Sequence, residues 1–548
     1  MKKYLIIPVA LLLSTLLGAQ GLYINGGKIN ISSGATLYVE GTAGNLLNAT
    51  NGASDGSIAL NGTLKVDGNY TNNVSSADVL GTVGASSQVA FTGTTAQTLG
   101  GSTSAPFVFN DLVVNNAAGV SLSKSATVNG ALTLTSGLVT LGSNDLTLGT
   151  AATVSGTPSA SNMIVASGSG ILKKKVNATG SFTFPVGDNT VTAEYSPVTL
   201  NFTAGTFAAG AYAGVNLVNS KYPDAQITGS YLNRYWNISQ SGITSYTCTA
   251  VFQYKTADVN GTEAEIYALR VDPTPFTPFS AANTTLHQLT ASDLTSFGTF
   301  TGGPNSKSFD LTVFLEGPYA GAGTMNTTLQ ENTLVPLAQP YNVAPWNYTG
   351  TEAVASVPAG VVDWVLIELR DAVSPDLATP DTKLAGWPKA YFLKSNGAIV
   401  DLDGTSMPKI GYPAVAHNLY IVVRHRNHLA VISNSGMSLA SNAYSYNFST
   451  AITQAYGGAD GYKQIGTDVF GMVSSDADAD GEISVLDYTK WVSEFGNFPV
   501  YMNSDFDMDG EISVLDYTRW VTNFGVAHPI LGTKTVIPYE SRVPGQKY

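Results

Sequence analysis

Asp476-Ala-Asp478-Ala-Asp480-Gly481-Glu482-Ile483-Ser484-Val485-Leu486-Asp487 recurs downstream as Asp505-Phe-Asp507-Met-Asp509-Gly510-Glu511-Ile512-Ser513-Val514-Leu515-Asp516. The chain makes the same statement twice. Ca²⁺ is a hard cation that takes about six to eight oxygens, and a 12-residue loop supplies them from positions 1, 3, 5, 7, 9 and 12, with glycine at position 6 for the turn. Both copies have Asp at 1, 3, 5 and 12, Gly at 6, Glu at 7 and Ser at 9. The expected ligands of two calcium ions are therefore Asp476, Asp478, Asp480, Glu482, Ser484 and Asp487, and Asp505, Asp507, Asp509, Glu511, Ser513 and Asp516. Ile483 and Ile512 are apolar anchors at position 8.

A near-identical segment follows each loop, Asp487-Tyr-Thr-Lys-Trp491-Val492-Ser-Glu-Phe495-Gly496 and Asp516-Tyr-Thr-Arg-Trp520-Val521-Thr-Asn-Phe524-Gly525. Tyr488, Trp491, Val492 and Phe495 fall at i, i+3, i+4 and i+7, so one apolar stripe of a short helix is expected to pack against its twin. Ser484 with Asp487 three residues on predicts a capping box. No comparable helical pattern precedes either loop, so each unit is a loop with an exiting helix.

Over roughly 50 residues these units resemble the dockerin module, the paired calcium-loop domain of cellulosomal and related surface proteins. The resemblance implies two Ca²⁺ ions and a cohesin-like or adjacent surface-protein domain as partner. In dockerins positions 10 and 11 of the loops help to dock the partner. Here those positions are Val485-Leu486 and Val514-Leu515, apolar where small or hydroxyl residues are common, so they are either a partner surface or core between the two units.

Outward from this module, the chain has 548 residues, room for several domains. Lys2-Lys3, an apolar run to Leu17 and Leu17-Gly18-Ala19 predict a cleaved secretory signal over residues 1–19. An extracellular or outer-surface location follows, and no later stretch has the length and hydropathy of a transmembrane helix. Without Lys2 and Lys3, 24 bases stand against 39 acids, and residues 476–525 hold 11 of those acids with two bases. The acidity is thus concentrated at the calcium loops and the rest is nearly neutral. Nucleic acid is not an expected partner, since phosphate binding needs clustered bases. A single cysteine, Cys248, excludes an intrachain disulfide framework.

The fold expected is mostly β. Residues 20–170 string together short runs such as Thr63-Leu64-Lys65-Val66, Leu132-Thr133-Leu134 and Leu146-Thr147-Leu148 between Gly and Asn turns, which predicts a β-solenoid-like repeat region. Only nine charged side chains occur there, and Gly52-Ala53-Ser54-Asp55-Gly56 has the letters of a nucleophile elbow without its strand-turn-helix context. Residues 171–305 and 306–466 are expected to be β-sandwich domains, 467–530 the small α-helical calcium module and 531–548 a tail. Lys173-Lys174-Lys175 suggests a solvated strand edge. In Arg424-His425-Arg426-Asn427-His428, a spacing of three in an extended strand puts the histidines on opposite faces, so a polar hairpin tip or strand edge is expected rather than a metal site.

The two middle regions also resemble modules of large secreted surface proteins of Bacteroidetes-type bacteria. The residues that carry this are Phe184-Pro-Val-Gly-Asp188 with Tyr195-Ser-Pro197, Pro340-Tyr-Asn-Val-Ala-Pro-Trp346, Val362-Asp-Trp-Val365 with Glu368-Leu-Arg370, Val400-Asp-Leu-Asp-Gly404 and His425-Arg-Asn-His-Leu429. That resemblance implies a cell-surface or extracellular location, often with adhesin-type naming and no established chemistry; a carbohydrate or extracellular-matrix ligand is a separate expectation. The expected function is a non-enzymatic secreted or cell-surface adhesion protein with a calcium-stabilised attachment module. The alternative is a dockerin-tagged component of a polysaccharide-degrading system, a glycoside hydrolase or carbohydrate-binding accessory protein. Its carboxylate pairs would be Glu368 with Asp371 or Asp401 with Asp403.

Overall fold

The computed structural model describes residues 21–74, 83–103, 105–224, 226–412, 415–440 and 442–528. The expected signal peptide and the tail from residue 531 lie outside them. The chain is mostly β and divides near Asn305/Ser306 into two compact units. Among the described residues no helix is long and apolar enough to cross a membrane.

The first unit opens with a parallel β-solenoid. One face stacks Leu22–Asn25, Leu46–Asn51, Tyr70–Asn73, Gln97–Gly100, Val120–Leu122, Val139–Thr140, Ile164–Val165 and Val186–Asp188. A second face runs from Thr36–Val39 to Thr153–Gly156, and a third includes Phe107–Phe109, Ala126–Val128, Leu146–Leu148 and Leu172–Lys175. The physical cause is the alternation visible in the sequence: in Leu146-Thr147-Leu148 both leucines are buried inside the coil while the threonine stands outside. Stacking coils extends that interior into one continuous core, to which each buried leucine contributes about 2 kcal/mol. The coil length varies. The steps from Leu22 to its partner Leu46 and from Leu46 to Tyr70 are equal, whereas the step from Val120 to Val139 is shorter and that from Tyr70 to Leu99 longer. Gly137 shows how tight the stack is: at φ +89° a Cβ would lie 1.7 Å from the Asn116 carbonyl oxygen.

The parallel stacking continues beyond residue 170. Lys173-Lys174-Lys175 is not an edge: Leu172–Lys175 pairs with Leu146–Leu148 on one side and antiparallel with residues 212–215 on the other. Lys173 is paired with Asp145 at 2.6 Å. Lys174 is buried, and its ammonium donates to the carbonyls of Gly149, Thr150 and Ala152, three oxygens of one turn that the strand ladder leaves over. The antiparallel region continues the same sheet through two long strands, Val198–Val218 and Tyr235–Gln253. Trp236 and Phe252, from opposite ends of the second of these, meet in a tilted contact with ring centroids 5.2 Å apart, so the sheet folds over a shared core. Ser54–Asp55 is the return arm of a hairpin with Leu46–Asn51, so Ser54 is not on a nucleophile elbow.

The second unit has a five-stranded sheet with Val361–Ala372 at its centre and a four-stranded sheet containing Lys307–Thr312 and Ala443–Asn447. The first strand is apolar on both faces because it is flanked on both sides, by Lys389–Lys394 and Asn418–Arg424, and covered above and below. The core contains Phe309, Leu311, Trp364, Phe392, Val423 and Tyr446. Two short helices, Val485–Glu494 and Val514–Asn523, close this unit.

Candidate metal centre

The two helices begin where the capping pattern places them. Ser484 Oγ accepts from Leu486 N at 3.1 Å and Asp487 Oδ2 accepts from Ser484 N at 2.7 Å; Ser513, Leu515 and Asp516 repeat this at 3.0 and 2.8 Å. The other oxygen of each position-12 carboxylate closes its loop: Asp487 Oδ1 accepts from Ala477 N at 2.6 Å, and Asp516 Oδ1 from Phe506 N at 2.5 Å. Gly481 and Gly510 take φ +88° and +87°, turning the loops so that their amides donate to Asp476 Oδ2 and Asp505 Oδ2.

These turns bring carboxylates together. Ligand atoms of Asp476, Asp478 and Asp487 lie within 4.8 Å of one another, and so do those of Asp505, Asp507 and Asp509. Asp480 Oδ1 accepts from Glu482 N at 2.9 Å. Glu511 is exposed, as suits a position that offers its backbone carbonyl. Asp476 Oδ1 and Asp507 Oδ1 are buried, with no donor among the described residues. Burial, with the charge of neighbouring carboxylates, pushes Asp476 well above the usual carboxylate range and Asp487 to about 6. In loop two burial pushes Asp505 and Asp507 to about 7, Arg426 opposing the rise at Asp505. Crowded, buried, undonated oxygens are the donor set that a hard cation satisfies.

The two units pack as a pseudo-two-fold pair. Trp491 Nε1 donates to Ser513 O and Trp520 Nε1 to Ser484 O, both at 2.9 Å. Gly496 N donates to Ile512 O and Gly525 N to Ile483 O. Tyr488, Trp491, Tyr517 and Trp520 form the contact, with ring centroids 4.9 to 5.9 Å apart. Only half of the expected stripe is used, since Val492 and Phe495 are exposed. Val485, Leu486, Val514 and Leu515 are not core between the units either: they are 55–62% exposed. The helices approach through aromatic rings wide enough to hold them apart, which leaves the first turn of each facing outward.

His425 and His428 are more enclosed than a hairpin tip allows. The segment is not a polar tip or strand edge, for both rings are wholly buried, 4.9 Å apart between centroids. The strand Asn418–Arg424 ends before them, and the bend at Arg426 and Asn427 cancels the alternation that would have separated them. His425 Nε2 donates to Asp363 Oδ2 at 3.2 Å, while His428 Nε2 accepts from Gly317 N at 3.1 Å. The proton of His428 therefore sits on Nδ1, facing His425 Nδ1 at 3.1 Å and Asn427 Oδ1 at 2.8 Å. Asp363, within the central strand, also accepts from Arg426 Nε at 2.9 Å and from Tyr501 OH and Trp364 N, both at 2.7 Å. Burial would raise this carboxyl, but Arg426, then His425 and Tyr501, outweigh it and hold it at about 2. Arg426 lies 4.2 Å over the Tyr501 ring and donates to Met502 O, so the stretch joining the two loops is fastened to the β-sheet. Glu316 fastens the second helix by accepting from Asn523 Nδ2 at 2.8 Å.

The other carboxylate pairs hold local structure. Glu368 accepts from Arg370 Nε at 2.6 Å, Asp371 from Ala416 N and His417 N, and Asp403 from Thr405 N and Ser406 N in a turn. The Asp363–Arg426–Tyr501 cluster has no counterpart among the sequence expectations; one Asp in the otherwise apolar run 361–367 is its signal in the sequence.

No family model and no curated protein matches this chain. Among solved structures, a chain from an N-terminal interface mutant of a type II Cohesin-X-Dockerin complex from Acetivibrio cellulolyticus is similar over 30% of this chain and 83% of its own, at 14% identity and a TM-score of 0.18, a score that carries no argument about fold or partner.

Proposed function

We propose that the C-terminal segment binds two Ca²⁺ ions and that the chain is a secreted or cell-surface β-rich protein whose calcium-stabilised module serves attachment or assembly. The observation that carries the calcium reading is the pair of buried, undonated oxygens, Asp476 Oδ1 and Asp507 Oδ1, each within a cluster of carboxylates raised by burial and mutual repulsion. Asp476, Asp478, Asp480 and Asp487 would hold one ion and Asp505, Asp507, Asp509 and Asp516 the other, with the Glu482 and Glu511 carbonyls and the Ser484 and Ser513 positions completing the shells. The ions supply positive charge that neutralises the carboxylates; the chain's own part is to hold those groups in place before binding. Support for attachment comes from Val485, Leu486, Val514 and Leu515, which lie exposed near the starts of two rigid helices and suit a cohesin-like or adjacent surface-protein domain.

Calorimetric titration of the full chain with Ca²⁺ tests this. Two ions per chain are expected, and one after Asp478→Ala or Asp507→Ala; no binding by the unaltered chain would overturn the calcium reading.

A further inference from the structure

Both loops start at the same residue of the β domain. Asn427 is wholly buried. Its backbone carbonyl accepts from Ser475 N at 3.0 Å and from Asp476 N at 3.2 Å, which fixes the first ligand position of loop one. Its side-chain Nδ2 donates to Asp505 O at 2.5 Å, which fixes the first ligand position of loop two. The amide is held the right way round by a chain of defined direction: Gly317 N–H donates to His428 Nε2, His428 Nδ1–H donates to Asn427 Oδ1, and Nδ2 is left to face Asp505. Asn427 N donates to His425 Nδ1, so the neighbouring ring also receives the segment.

We infer that Asn427 is a positioning residue shared by the two calcium loops, acting on loop one through its main chain and on loop two through its side chain. This rests on the calcium reading above. The asymmetry makes it testable, because a side-chain substitution removes the hold on loop two and leaves the carbonyl that holds loop one. A buried hydrogen bond of this kind contributes about 1 to 1.5 kcal/mol, which corresponds to a five- to tenfold change in affinity.

The experiment places Asn427→Ala in two full-length backgrounds, Asp478→Ala, which retains loop two, and Asp507→Ala, which retains loop one. Calcium affinity is read by titration, with urea unfolding checking that each protein is folded. The expected result is about a five- to tenfold loss of affinity at loop two and less than about a twofold change at loop one. Equal losses at both sites, as a general loss of stability would give, or no loss at either, overturn the inference. Asn427→Leu, which keeps the volume and adds no charge, repeats the comparison if the alanine variant does not fold. A third measurement leaves Asn427 intact. In the Asp478→Ala protein, filling loop two alone is expected to slow hydrogen exchange at the Ser475 and Asp476 amides, because both donate to the residue that loop two holds; unchanged exchange overturns the inference. If the unaltered chain binds no calcium, the calcium reading itself falls. If it binds two ions but Asn427→Ala does not separate the sites, only this inference falls.

Discussion

The coils of the solenoid and the C-terminal loop-helix module both bury polar groups, and they satisfy them differently. In the coils buried neutral amides bond to a neighbouring turn: Gln97 Nε2 donates to Val66 O at 2.9 Å, and Asn116 Nδ2 donates to Gln97 Oε1 at 2.8 Å and to Thr95 O at 2.7 Å, while the charged Lys174 and Asp188 at the end of the stack are met by the chain's own carbonyls and by Arg234. In the module and its seat buried neutral groups such as Asn427 stand beside a cluster of buried acids, Asp476, Asp487, Asp505 and Asp516 in the loops, and beside Asp363 with Arg426. A neutral ladder is complete when the chain has folded, whatever the solution contains. A charged cluster is complete only when its counter-charge is present, so its stability depends on ions and protons.

The largest test of this contrast is chelation. Removing Ca²⁺ from the full chain is expected to lower the stability of the second unit by about 4 kcal/mol for each ion held at a thousand times its dissociation constant. The transition of the first unit stays where it was. Differential scanning calorimetry with and without chelator reads this, and coincident loss of both transitions would break the contrast. Because Asp363 and Asn427 join the module to the β-sheets, the loss is expected across the second unit rather than in its helices alone.

Next in size is Asp363→Asn. It leaves the Arg426 guanidinium buried without its carboxylate, at a cost of about 3 to 5 kcal/mol in the urea unfolding of the second unit. Asn116→Ala in the coils removes a neutral bond and is expected to cost about 2 kcal/mol, with the same value in calcium and in chelator.

Acid sharpens the contrast further. Burial, with His425, Arg426 and Arg519 nearby, holds His428 well below the usual imidazole range, and burial lowers His425 despite Asp363. The unfolded chain therefore takes up protons near pH 6.5 that the folded unit refuses, so the stability these rings contribute is full above pH 6.5 and is lost as the pH falls below it. With calcium saturating, the melting temperature of the second unit is expected to decline steadily from pH 7 towards pH 5; a flat profile would count against the wiring of the two rings. The smallest effect on stability is expected at the surface: Leu486→Ser with Leu515→Ser should change unfolding by less than about 0.5 kcal/mol each, yet abolish capture of any partner that docks on those helices.

How much is legible in the sequence follows from how far each feature reaches along the chain. The two clusters of acids are readable in the sequence because the residues that form each lie within one short loop, and the caps at Ser484 and Ser513 are equally local. The solenoid is legible as a class but not in its register. Its coils differ in length, the step from Val120 to Val139 being shorter than that from Tyr70 to Leu99, so no fixed repeat survives, although each strand keeps its own alternation. The expectations for Lys174 and His428 fail for one reason, the assumption that a polar side chain in a strand-like run points to water. Lys174 is received by three carbonyls of the preceding turn, and His428 by Gly317, far off in the chain, and by Asn427, its immediate neighbour turned by the bend. The clue to such sites is negative: a polar residue in an apolar run, as at Asp363, needs a partner that the local sequence does not contain.

The meeting of Leu172–Lys175 with Val198–Val218 has a consequence for how this protein can change its length. A stack of parallel coils has no natural last member, and its open end could in principle recruit further turns without limit. Here the last strand of that face is met by one running the opposite way, and a parallel coil cannot be added beyond it. Growth is terminated at that end, and on that side turns can be gained or lost between existing coils. Deleting or duplicating a whole turn, such as the one that leads from Val120 to Val139, would shift the spacing between the ends while preserving both of them. The stack therefore behaves as an adjustable ruler with a fixed stop.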